Sequence, residues 1–435
     1  MRAEVLEFDH GGITCQFEPN LPETLIAAKR RYLGKSYLKS GASHFQFPPG
    51  LRLRNTHPDL LALAILLLSF PYSTSRSLEI PFRVTPEFRQ AVHDSIGIHL
   101  KANESISVQP RVRGDKPGLA FSAGADSQVA RLLMPANTVS IFLDRPLFFG
   151  RKSLYKKENI YGSINTLASR GAPIRVIETD FELMRNPVGF PVVDGIENVN
   201  LGVLAPLVLS ADYFGFDSVA MGIVSDTFYR LGHEAYQDLG NHPYVRGFSH
   251  LFEMVGIPLY LPVGGLSEVV ILEIAAKEGL PIVSCMRGSE AVPCRKCYKC
   301  FRKEMFMAEL RGEPWSNKAI EALMTTPSVD KALAQHPILH GNVLDYFVER
   351  YPREPLHQLG ALLAPYSAQR DWIGQWYPGA QAWVPADYLE RHFAVLKNWE
   401  VQTMSPELIA RLKDWLPARV RVQAGPRAVK SSRVR

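Results

Sequence analysis

The residues best suited to chemistry are a six-residue run and a cluster of cysteines. Ser122-Ala123-Gly124-Ala125-Asp126-Ser127 follows the apolar triplet Leu119-Ala120-Phe121 and precedes an amphipathic stretch ending at Leu133. That pattern predicts a strand, a tight loop and a helix. Small side chains let backbone amides approach an anion, and the start of a helix turns its unpaired N–H groups and positive dipole end toward the same place. Ser122 and Ser127 add hydroxyl donors. Asp126 would repel a phosphate, so its expected work is to brace the loop or to bind Mg²⁺ through oxygen. Ser122, Asp126 and Ser127 are thus the expected catalytic residues, within a phosphate cradle running from Ser122 to Ser127.

The second feature is Cys285, Cys294, Cys297 and Cys300, spaced Cys-x8-Cys-x2-Cys-x2-Cys. The N-terminus carries acids and lacks an apolar core, so no secretory signal is expected, and clustered cysteines then point to metal rather than disulfides. Four thiolates suffice for a closed tetrahedral zinc site with no open position, hence a structural one. The nearby Arg287, Arg295, Lys296, Lys299, Arg302 and Lys303 would offset the charge of such a centre. The same spacing also suits an iron–sulfur cluster, the less favoured alternative. Cys15 stands apart.

The cradle resembles the Ser-Gly-Gly-x-Asp-Ser signature of PP-loop ATP pyrophosphatases, with Ala123 in place of the first glycine. The resemblance implies ATP as cofactor, cleaved between the α and β phosphates so that AMP is left on the substrate. The segment Val283-Ser284-Cys285, then Pro293-Cys294-Arg295-Lys296-Cys297-Tyr298-Lys299-Cys300-Phe301-Arg302, is similar to the zinc module of 7-cyano-7-deazaguanine (QueC-like) synthases. Met221 to Asp226 and Pro258 to Ala276 resemble the segments between cradle and cysteines in that family. The likeness covers about residues 118–305. It departs from the family at Val283, at Arg295 and around Leu266-Ser267-Glu268, near where a deazapurine would sit. It implies an ATP-dependent ligase that adenylates a carboxylate or amide oxygen for attack by a nitrogen nucleophile, on a small-molecule substrate of 7-deazapurine type, another carboxylate or a peptide terminus. Two alternatives remain open: PP-loop thiolation, and a degenerate nucleotide-binding subunit of a multi-protein system.

Further candidates follow from strand ends. Asp144, Arg145 and Gly222 are expected to join the cradle in binding ATP. Ser225, Asp226, Tyr229 and His233 are substrate candidates, with Tyr229 and His233 four apart on one helix face. Thr179 and Asp180 are weaker ones.

The elements that must hold these residues alternate between strand and helix from Leu119 onward. Strands are expected at 118–121, 138–143, 174–178, 217–221 and 281–284, with helices at 126–133, 201–214 and 265–278. This describes an α/β fold with a doubly wound, mainly parallel sheet, which binds ligands beyond the carboxyl ends of its strands. Residues 1–115 read as an N-terminal α+β module, with strands at 5–8, 13–17 and 78–84. Its helices are 58–70, capped by Asn55 or Thr56, and one running from Thr85-Pro86-Glu87 to Ile96. Residues 116–305 read as the ATP-binding domain with the cysteine site, 306–418 as a proline-punctuated helical region that buries Trp372, Trp376 and Trp383, and 419–435 as a basic, disordered tail. That tail carries six basic residues and no acid, the whole of the net charge of +6. The body is therefore neutral, and nucleic acid is expected at most at the tail. The apolar run from Leu60 to Tyr72 is too short to span a bilayer. A cytoplasmic homo-oligomer is expected, without a membrane partner and with any protein partner meeting its N- or C-terminal regions.

Overall fold

The computed structural model describes residues 1–39, 41–103, 108–145, 157–186, 193, 196, 199–232, 234–282, 285 and 293–417. Twelve strands form among them: β1 (Arg2–Phe8), β2 (Gly12–Glu18), β3 (Tyr37–Leu38), β4 (Ala42–Gln46), β5 (Ser77–Glu79), β6 (His99–Lys101), β7 (Lys116–Phe121), β8 (Val139–Asp144), β9 (Ile174–Thr179), β10 (Arg185–Asn186), β11 (Phe216–Met221) and β12 (Leu259–Tyr260). Ten share one sheet, ordered β12-β11-β7-β8-β9-β4-β2-β1-β5-β6, while β3 and β10 pair separately. From β12 to β9 every pairing is parallel. Antiparallel pairing begins where β9 meets β4, through Phe45 opposite Thr179. Apart from β3, the strands of the first 115 residues thus extend the central sheet instead of closing one of their own.

The parallel strands are apolar because helices cover them. β11 is buried along its whole length, and β8 at every residue but the first. The helix Pro58–Ser69 is apolar all round and buried from Asp59 to Ser69, as its composition predicts. Its cap is His57 rather than Asn55 or Thr56; the ring nitrogen accepts the Asp59 N–H at 3.2 Å. Pro86–Ile96 starts from Thr85 as expected.

Three sequence expectations give way. The strand at 78–84 is only Ser77–Glu79. The helix at 201–214 breaks into a 3-10 turn, Leu201–Leu204, and two short helices separated at Ser210. The outer edge of the parallel sheet is β12, at Leu259–Tyr260, whereas Pro281 and Ile282 form no strand and Val283 and Ser284 lie outside the described residues.

The C-terminal helices pack onto this sheet layer. Trp372 and Trp376 are buried, and the Tyr377 N–H donates to the Gly265 carbonyl at 2.8 Å. A Cβ on Gly265 would lie 2.5 Å from the Trp376 ring, so only glycine admits the indole there. The tail at 419–435 lies outside the described residues.

Candidate functional site

The strand order places a switch point between β7 and β11. After β7 the chain moves to β8 and β9 on one side; β11 and β12 lie on the other. Loops leaving the carboxyl ends of two such strands diverge and leave a crevice. The cradle fills that position, running directly from Phe121 at the end of β7 into the helix Ala125–Leu133.

The cradle is neither buried nor helical throughout. Ser122 is exposed, Gly124 and Asp126 are partly exposed, and Ala123, Ala125 and Ser127 are buried. Ser127 organises the turn. Its Oγ accepts the Ser122 N–H at 3.2 Å and donates to the Gly124 carbonyl at 3.1 Å. The Ser122 and Ser127 hydroxyls lie 3.2 Å apart, and Gln128 donates to the Ala123 carbonyl at 2.8 Å. Ala123 has φ +60°, the left-handed region that favours glycine, at a cost of about 1–2 kcal/mol for a residue with a Cβ. The alanine thus occupies a position whose backbone suits the glycine of the related signature. Gly222, after β11, closes the crevice from the other side. A Cβ there would lie 2.9 Å from the Asp126 carbonyl carbon and 3.0 Å from the Ser127 nitrogen.

Asp126 is braced by a residue the sequence did not single out for it. Lys303 Nζ lies 3.4 Å from Asp126 Oδ1 and 3.0 Å from Glu268 Oε2. Arg302 Nε lies 2.9 Å from the other Glu268 oxygen. Two cations and two carboxylates thus neutralise one another beneath the cradle. Arg302 and Lys303, expected to offset thiolate charge, are engaged with acids instead. Lys303 is buried, and burial opposes its charge; Asp126 and Glu268 overcome that and hold its pKa above the ordinary lysine value. The signal available in sequence was Cys300-x2-Lys303 and Glu268 beside Ser267. Neither can be paired without the fold.

The four cysteines converge. One sulfur from each lies within 4.8 Å of all the others, with Cys285–Cys297 at 3.9 Å, Cys294–Cys300 at 3.7 Å and Cys297–Cys300 at 3.6 Å. A tetrahedral centre with metal–sulfur bonds of ~2.3 Å separates its sulfurs by about 3.8 Å. The Cys285 N–H donates to Glu304 at 3.0 Å and the Cys294 N–H to the Cys285 sulfur at 3.4 Å. Contact with Cys285 pushes the Cys297 thiol up to about 11 and raises Cys300 as well. Thiols this close resist ionising together unless a cation sits among them, which fits a metal. Cys300–Glu304 forms a π-helical turn, and the same turn delivers Lys303 to Asp126.

The remaining expected site residues are placed less favourably. Asp144 is buried and held by Lys157 at 2.7 Å and Tyr161 at 2.9 Å; Arg145 pairs with Glu182 at 2.6 Å. Both are committed to protein partners, so the expected ATP contacts from them need these pairs to open. Ser225, Asp226 and Tyr229 are buried. Asp226 accepts from the Glu268 N–H at 2.8 Å and from Asn342 at 2.7 Å, which makes it a tie between the sheet and the C-terminal helices. The helix Ser225–Phe228 ends before Tyr229, and His233 lies outside the described residues. Asp180 accepts the His44 N–H at 2.6 Å on the seam between β9 and β4. Thr179 is buried there.

These features define a mixed α/β protein with a mostly parallel sheet, a tight strand–loop–helix turn at the switch point and a four-cysteine group able to hold a metal. A family model described as "Family of unknown function (DUF6395)" matches residues 247–416, a span that includes the last three cysteines, Cys285 and Lys303 but not the cradle. No curated protein matches. Among solved structures, one similar chain is the U34-tRNA thiolase NcsA from Methanococcus maripaludis with its 4Fe-4S cluster. It is 14% identical, with a TM-score of 0.25, over 55% of this chain and 77% of that one. No helix is long and apolar enough to cross a membrane among the described residues.

Proposed function

We propose that this chain is an ATP-using enzyme of the PP-loop type that forms AMP and pyrophosphate. The observation that carries the reading is the cradle itself: a turn after β7 open to solvent at Ser122 and in part at Gly124 and Asp126, with Ala123 at φ +60° and the first N–H groups of a nine-residue helix behind it. In this reading a substrate oxygen attacks the α-phosphorus of ATP, and the bond to the β-phosphate breaks. Pyrophosphate leaves into the cradle, where the amides and the Ser122 hydroxyl take up its charge while Ser127 holds the turn in shape. A carboxylate or amide oxygen leaves carbon poorly, whereas AMP leaves well, so a nucleophile then displaces AMP. Asp126, with its side chain 32% exposed, has room to hold Mg²⁺ while Lys303 balances its charge.

Nitrogen as the nucleophile is favoured over sulfur. Thiolation needs a reactive thiolate. Four of the five cysteines are gathered in one cluster, and Cys15 is fully buried with its thiol pushed up to about 12 by desolvation. The sulfur separations favour a single zinc ion at the cluster, because a four-iron cluster gives each thiolate its own iron and spreads them further. A 7-deazapurine is one substrate class in keeping with the QueC-like run around the cysteines, beside a peptide terminus or another carboxylate, because the run departs from that family at Arg295 and around Glu268. The test is product analysis: incubation with ATP and candidate acceptors should give AMP and pyrophosphate, whereas ADP and phosphate alone would refute the assignment. A visible absorption band in anaerobically purified protein would replace zinc by an iron–sulfur cluster and reopen thiolation.

A further inference from the structure

The helix Leu21–Tyr32 lies against the body with its faces reversed. Its start is well specified: Asn20 and Glu23 form a reciprocal capping box. Glu23 then points inward, 3.4 Å from the N-terminal ammonium, and accepts the Ser75 N–H at 2.9 Å. The apolar residues Leu21 and Leu25 and the terminal Tyr32, at positions i, i+4 and i+11, form one stripe that points outward. They are 70%, 60% and 90% exposed, and Leu33 beside them is 53% exposed. Lys29 and Arg31 flank the stripe, followed by Lys35 and Lys39, all exposed. Among the described residues none of these four has a carboxylate partner. Beneath the helix lies a cavity of about 290 Å³, lined by Ile26, Ala27, Leu38 and Tyr72, with Glu23, Arg30 and Lys39 also in its wall.

We infer that this helix is the surface by which the protein rests on a membrane containing anionic lipids. An exposed apolar stripe between unpaired cations is the composition of a helix lying in the lipid interface, its leucines in the acyl boundary and its lysines and arginines at the headgroups. A second copy of the chain does not fit, because two such faces would bring Lys29 and Arg31 against one another. A nucleic-acid platform would present stacked aromatics, whereas three of the four exposed apolar side chains are leucines.

The test uses the full chain and two kinds of vesicle, phosphatidylcholine alone and phosphatidylcholine carrying phosphatidylserine. The wild type should sediment with the anionic vesicles and release as salt is raised. Two double variants, Leu25→Glu with Tyr32→Glu and Lys29→Glu with Arg31→Glu, change only exposed side chains and should leave thermal unfolding unaltered. Each should lower the partition onto anionic vesicles by at least about tenfold. Wild type that stays in the supernatant, variants that bind as well as wild type, or equal binding to both vesicles would overturn the inference. So would a stripe that seats on an acidic protein while ignoring lipid.

Discussion

Lys303 offers the sharpest perturbation, because it joins the cradle to the turn that carries the last cysteine. Replacing it with methionine keeps the stem and removes the charge. Its ammonium lies 3.0 Å from Glu268, whose side chain is 2% exposed, and 3.4 Å from Asp126. Each pair is worth roughly 4 kcal/mol of attraction at an effective dielectric near 20, most of it offset by desolvation. Removing one partner of a buried pair typically costs about 3–5 kcal/mol. Arg302 still holds Glu268, and Asp126 is partly solvated, so the expected loss is about 2–4 kcal/mol. Urea unfolding of wild type, Lys303→Met, Glu268→Gln and the double variant measures it. The double variant should be less destabilised than the sum of the singles by about 1–3 kcal/mol. Lys303→Met also leaves the charge of Asp126 unbalanced beside an incoming triphosphate and should weaken ATP binding about tenfold, or ~1.4 kcal/mol. A loss below about 1 kcal/mol, with singles that simply add, would refute the bracing role.

The other predictions concern the crevice, the metal and a buried histidine. Gly222→Ala pushes a methyl group to 2.9 Å from the Asp126 backbone, so calorimetry should show ATP affinity falling by tenfold or more and stability falling by about 1–3 kcal/mol. Ala123→Gly should change stability by less than about 1 kcal/mol, since relief at φ +60° is offset by the flexibility of glycine and the lost methyl, whereas Ala123→Val should destabilise by more than about 2. Elemental analysis should find one metal per chain, and Cys297→Ser should lose it together with thermal stability. His392 is fully buried and desolvation pushes its pKa down to about 4. The unfolded imidazole titrates near 6.5, so between these values the unfolded state holds the extra proton and stability falls as pH drops, by about 3 kcal/mol in all. Unfolding curves of His392→Phe should lack that slope.

Local chemistry made part of this architecture legible from sequence. The strand–loop–helix of the cradle was readable because Phe121 ends an apolar run and the small residues after it permit a tight turn before the amphipathic stretch to Leu133. The helices at Pro58 and Pro86 were readable because proline fixes their first turn. The cysteine cluster was readable from spacing alone. What failed was long-range. The edge strand at Leu259–Tyr260 has two residues and no periodicity to detect. The continuous sheet depends on Phe45 meeting Thr179, residues 134 positions apart. The helix Leu21–Tyr32 carried an Asn-x-x-Glu capping signal that was there to be used. Asp226 looked like a substrate ligand because it follows a strand end. Only the fold supplies Asn342 and the Glu268 N–H, which consume its oxygens.

The same contacts bear on why the C-terminal helices accompany the cradle. Asp126 is held by Lys303, Lys303 by Glu268, and the Glu268 backbone by Asp226, which in turn binds Asn342 from the C-terminal region. His340 lies 3.8 Å from Glu268 on the same side. Every link beyond the partly solvated Asp126 is buried, and leaving one of those partners unpaired would strand a charge or a donor in the interior. The cysteine group fixes the π-helical turn from which Lys303 reaches out. Under the proposed function, a metal held there would act at a distance on the cradle by keeping Lys303 in place, without touching phosphate. That would account for a four-thiolate site beside the proposed phosphate loop, because an ion closed in by four thiolates would have no chemistry of its own to perform.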